Sequence, residues 1–185
     1  MRLGVVQAGM DALEASTRVY VSPAELFAFL QDASGWETYS EHVDAVRRYG
    51  DGGPGTDYRI TVSWWKLSYT LTQRVMATDP PRRIDWRATG NTAATGAWLV
   101  DPVDGRADAA ELRLRIEVDP DSLRGGSVTR LLPFDELIER LKPVVAREAE
   151  NVLEGLVADL EGEPRPVDIE VHQVPAFTTR PASGR

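Results

Sequence analysis

The spacing of apolar residues changes once along this chain, and that change limits what it can fold into. From Val43 to Val118 the apolar side chains recur at every second position in segments broken by turns. From about Phe134 to Leu160 they recur at helical spacing, through Phe134, Ile138, Leu141, Val145, Ala149, Val152, Leu156 and Leu160. Segments with one apolar face, joined by short turns, predict an antiparallel sheet that must be covered on one side. A single long amphipathic helix is the cover available. The expected class is therefore α+β.

The sheet segments can be placed individually. Leu13 to Val21 alternates well enough for a first strand, and Val43 to Tyr49 is the second. Tyr58, Ile60, Val62 and Trp64 share one face of the next strand. Tyr69, Leu71, Gln73 and Val75 share a face of its partner. Ile84, Trp86 and Ala88 continue that face, followed by Gly96, Trp98 and Val100. Leu112, Leu114, Ile116 and Val118 give the cleanest alternation in the chain. Between the first two strands, Ser22-Pro23 with Glu25 reads as the N-terminus of a short helix. Gly35 and Trp36-Glu37-Thr38-Tyr39 suggest a second short helix or turn. Asp79-Pro80-Pro81 is a turn. Gly162 and Pro164 end the long helix. Pro143 falls inside that helix and predicts either a bend or a boundary between two helices. Residues 1–12 read as an N-terminal extension and 13–162 as one domain. Residues 163–185 read as a Pro-rich tail in which 167–171 alternate like an edge strand.

Composition narrows the function. The formal charge is -8, which argues against sequence-independent nucleic-acid binding and against docking on anionic lipid by charge alone. No apolar run reaches the length of a membrane span. There is no cysteine, hence no disulfide framework and no thiol nucleophile. A cytoplasmic location is the expectation.

The order of strand, two short helices, antiparallel meander and long C-terminal helix resembles the helix-grip fold of the START-like and pollen-allergen-like superfamily, which includes the polyketide cyclase/dehydrase-like (SRPBCC) proteins. Val21-Ser22-Pro23-Ala24-Glu25-Leu26-Phe27 is similar to the family's strand-to-helix junction. Trp36 and Tyr39 fall where the family carries an aromatic cluster, and Gly50-Asp51-Gly52-Gly53-Pro54-Gly55-Thr56 is similar to the glycine-rich loop of the pollen allergens. Asp79-Pro80-Pro81-Arg82-Arg83-Ile84 resembles the family's Pro-Pro-Arg turn. The resemblance implies a curved sheet of about seven strands around the C-terminal helix, with an apolar cavity between them.

That cavity is expected to be lined by Trp36, Tyr39, Tyr58, Ile60, Val62, Trp64, Tyr69, Leu71, Gln73, Trp86, Trp98, Leu114, Ile138, Leu141 and Val145. Large aromatics line ligand pockets but also fill ordinary cores. Gln73, on an apolar face, predicts either a ligand contact or a bond to a neighbouring Tyr. The glycine-rich loop lacks the Lys and the following helix of a phosphate-binding loop, which favours a tight interstrand turn. His42 beside Glu41 reads as a proton-transfer pair or a solvated loop. No His, Asp and Glu set has metal-ligand spacing, and neither a metal nor a cofactor is expected. The leading expectation is a binder or carrier of a small hydrophobic ligand. The rival is a cofactor-free polyketide cyclase/dehydratase-like enzyme, with His42, Glu41, Tyr39 or Gln73 as candidate acid-base groups. A third reading is a partner-dependent accessory protein acting through its tail. Nothing in the sequence supports a protein partner or a homodimer.

Overall fold

The computed structural model describes residues 11–33, 35–64, 67–89, 94–118, 147 and 150–175. In chain order these form β1 (Asp11–Val19), α1 (Pro23–Gln31), a 3-10 turn (Trp36–Thr38), β2 (Val43–Tyr49), β3 (Asp57–Trp64), β4 (Leu67–Asp79), β5 (Arg83–Thr89), β6 (Ala94–Val103) and β7 (Arg106–Val118). A C-terminal helix, α2, runs over 150–161 and is followed by β8 (Glu170–Pro175). The strands make one antiparallel sheet curled into a half-barrel, in the order β2-β3-β4-β5-β6-β7-β1-β8. Pro143 and the apolar positions from Phe134 to Val145 lie outside the described residues.

The registers follow the alternation in the sequence. Tyr58 pairs with Gln73, Ile60 with Leu71 and Val62 with Tyr69. Trp86 lies opposite Gly96, and Trp98 opposite Leu114. All of these share the inner face, because directly opposed residues point the same way. The outer face carries ion pairs instead. Arg74 binds Asp57 through two bonds of 2.7 Å, Arg83 lies 2.7 Å from Asp85, and Arg113 pairs with Asp101. A bulge between Val75 and Ala77 interrupts the β4–β5 ladder and leaves Met76 exposed, as an extra residue in one strand does.

Ser22 caps α1 as its sequence predicts. Its hydroxyl accepts from the Glu25 amide at 3.3 Å, and the Glu25 carboxylate accepts from the Ser22 amide at 3.1 Å, closing a capping box. This exposed carboxyl is held below the ordinary glutamate range by the Ser22 hydroxyl first and the Ser22 amide second. Leu26, Phe27 and Leu30 of α1 are buried. With Val19, Val75, Ile84, Val100, Leu112, Leu156 and Val157 they form the core. Gly162, at φ 80, stops α2 and bonds back to the Ala158 carbonyl at 2.9 Å.

The glycine-rich loop is structural. The Gly52 amide donates to the Thr56 hydroxyl at 3.0 Å and the Gly53 amide to Asp51 at 2.9 Å. The Gly55 amide donates to the Val75 carbonyl at 2.8 Å and the Thr56 amide to Gly53 at 3.1 Å. With these donors committed, the loop is the interstrand turn its Gly and Pro content predicts. The edge strand near the C-terminus forms three residues later than the alternation at 167–171 predicts, and pairs with β1. Among the described residues no helix is long and apolar enough to cross a membrane.

Candidate functional site

The inner face of β3 to β6 meets α1 and the 3-10 turn around a small void. Its walls are Leu30, Ala33, Trp36, Val46, Tyr58, Ile60, Gln73, Val75, Ile84, Trp86 and Trp98. The space between them is about 10 Å³, room for a single oxygen atom or one water. Trp36 meets Trp98 edge to face, with ring centroids 5.9 Å apart and planes at 81°. This is the arrangement favoured by the aromatic quadrupole.

Six of the residues expected to line a cavity are brought together here: Trp36, Tyr58, Ile60, Gln73, Trp86 and Trp98. Leu71 and Leu114 are half-buried on the same inner face, beside Ile60 and Trp98. Val62 and Tyr69 form a further rung of the β3–β4 ladder, where Tyr69 is 49% exposed. Tyr39 stands elsewhere. Its ring stacks on Phe29 at 6.4 Å and its hydroxyl donates to Asp159 of α2 at 2.5 Å. The side chains of Trp64, Ile138, Leu141 and Val145 lie outside the described residues. The cavity set omits Leu30, Ala33, Val46, Val75 and Ile84. Leu30, Val75 and Ile84 already stood on apolar stripes of α1, β4 and β5, so the signal for them was the stripe itself.

The chemistry of the walls is sparse. On the described wall the titratable side chain is Tyr58, whose hydroxyl donates to the Gln31 carbonyl at 2.6 Å. Burial, ahead of the opposed charges of Arg48 and Asp32, pushes its phenol upward. His42 and Glu41, 4.0 Å apart, are not among the wall residues. Among the described residues, the buried side-chain atoms without a hydrogen-bond partner include Trp36 Nε1, Trp86 Nε1 and Glu37 Oε2. Both indoles line the void, whereas Glu37 does not.

Residues 10–161 match the model of a family described as polyketide cyclase / dehydrase and lipid transport. Among solved structures, the Zhui aromatase/cyclase from Streptomyces sp. R1128 is 23% identical, with a TM-score of 0.63 over 81% of this chain and 93% of that one. A START superfamily protein from Mycobacterium smegmatis is 16% identical, with a TM-score of 0.58 over 81% and 99%. Ara h 8.0201 is 19% identical, with a TM-score of 0.55 over 80% and 97%. At these identities the likeness is one of fold. No curated protein sequence gives a significant match.

Proposed function

Because the chain belongs to the polyketide cyclase/dehydrase and lipid transport family, we propose that it binds or carries a small hydrophobic molecule between the inner face of its sheet and its helices. A lipid, isoprenoid, quinone or polyketide-like aromatic fits this class. The observation that carries the reading is the wall itself. On its described part the polar groups are one committed phenol, one amide and three indole N–H groups, with no carboxylate, imidazole or guanidinium. Such a wall can bury and orient a ligand, by apolar burial worth roughly 25 cal/mol per Å² before ordering costs. Acid-base chemistry on a bound chain needs a group free to give or take a proton, and the Tyr58 hydroxyl is engaged by a backbone carbonyl.

Titration with the neutral fluorophore N-phenyl-1-naphthylamine tests this. The expected result is saturable probe emission with matching quenching of tryptophan fluorescence. Both should be lost in Trp98→Glu, which sets a charge against Trp36. A folded protein that takes up no probe would sink the reading.

A further inference from the structure

Two tryptophans that border one void carry unpartnered indole donors. Trp86 is 7% exposed, and its Nε1 is buried with no hydrogen-bond partner. Trp36 Nε1 is in the same condition, and Trp36 borders the same void. Leaving a buried N–H unsatisfied is costly, and indole can only donate. Gln73 faces the same space from β4, and its amide can serve as donor or acceptor. The space, about 10 Å³, admits a water-sized oxygen. From it the inner face continues along the Ile60–Leu71 rung to the Val62–Tyr69 rung, passing from buried Tyr58 to half-exposed Tyr69.

We infer that this void is an anchor for one ligand oxygen that only accepts hydrogen bonds, the carbonyl of an aromatic ketone or quinone. The apolar body of the ligand runs from it along the β3–β4 rungs toward solvent. This rests on the hydrophobic-ligand reading and deepens it. Of the ligand classes open to that reading, it selects those ending in a carbonyl over hydrocarbons of the same shape. A site built to hydrogen-bond a ligand discriminates strongly against the analogue lacking the partner, because its own buried polar groups are then left unpaired.

The test compares 9-fluorenone with fluorene, which have one skeleton and differ in the carbonyl oxygen. Fluorenone should bind about tenfold more tightly, as two neutral hydrogen bonds provide. In 15N-labelled protein the Trp36 and Trp86 indole N–H resonances should move downfield with fluorenone and stay in place with fluorene. Trp36→Phe and Trp86→Phe remove the donor and keep a ring, and each should shrink the preference. Equal affinity for the two probes would overturn the anchor and leave the binding reading standing. A preference unchanged in the Phe variants would also overturn it, and binding of neither probe would overturn both. Should Trp86→Phe not fold, the wild-type comparison and the half-buried Trp36→Phe decide the matter.

Discussion

Gly96 has no side chain at the one position on β6 where the indole of Trp86 crosses the sheet. A Cβ there would lie 2.2 Å from Trp86 Cζ2 and 2.6 Å from the Arg115 carbonyl oxygen. Backbone and a buried ring cannot both retreat, so Gly96→Ala displaces Trp86. The expected loss is about 1–3 kcal/mol, the usual cost of overpacking, read from urea denaturation. Tryptophan emission should shift red as Trp86 leaves its buried seat. Unchanged stability and emission would show that the ring has another place to lie. This close approach was only half legible in the sequence. Alternation put Gly96, Trp86 and Trp98 on one face, but it carries no information about which ring lies over which backbone. The same holds for Tyr39: its aromatic character suggested a cavity wall, whereas its hydroxyl finds Asp159 on the far helix. Burial, and then that carboxylate, push the Tyr39 phenol well above its ordinary range.

At the scale of elements, Tyr39 is the spacer between α1 and α2. Its ring stacks on Phe29, and its Cδ1 would stand 2.5 Å from a Cβ at position 155. Gly155 therefore lets α2 approach the turn after α1. In an isolated helix, Gly→Ala stabilises by about 1 kcal/mol. Here Gly155→Ala should instead destabilise, and in a Tyr39→Ala background the sign should reverse to a gain of up to about 1 kcal/mol. Thermal melts of the four proteins give the coupling energy; a gain in both backgrounds would mean the contact carries no weight. The helical stripe in the sequence located α2 but not its buried edge. Steps of four select Val152, Leu156 and Leu160, while the helix buries Leu156 and Val157 and packs Leu153 and Leu160 against the core. A period of 3.6 residues brings positions three and four apart onto one face, and contact with the sheet decides between them.

Across the whole molecule, the two ends of the described chain are tied together. β8 pairs with β1, and the segment between α2 and β8 is held by Arg165. Its guanidinium makes bonds of 2.8 and 2.7 Å to the Glu161 carboxylate and one of 2.7 Å to the Arg18 carbonyl. It also stacks 4.8 Å from the Tyr20 ring, whose backbone amide donates to Glu161 at 2.8 Å. The α+β architecture was legible because one change of period encodes it. This clasp was not, because it joins residues more than 140 positions apart and no local pattern announces such a contact. It makes acid sensitivity local. The Arg165 guanidinium first, and the Tyr20 amide with it, hold the Glu161 carboxyl below the ordinary glutamate range against the opposing effect of burial. A carboxyl depressed in the folded state contributes stability that is complete above its unfolded pKa and lost as pH falls through the folded value. Glu161 is 11% exposed but Arg165 is 29% exposed, so screening limits the contribution to about 1 kcal/mol. Amide exchange protection in β8, corrected for intrinsic rates, should therefore match that of β1 near neutral pH. It should fall ahead of β7 as the pH drops through the acid side of the glutamate range, about pH 4. Arg165→Ala should lower β8 protection at neutral pH and remove the extra acid-induced loss. If β8 and β7 lose protection together on acidification, or if Arg165→Ala leaves β8 unchanged, the clasp does not hold the strand.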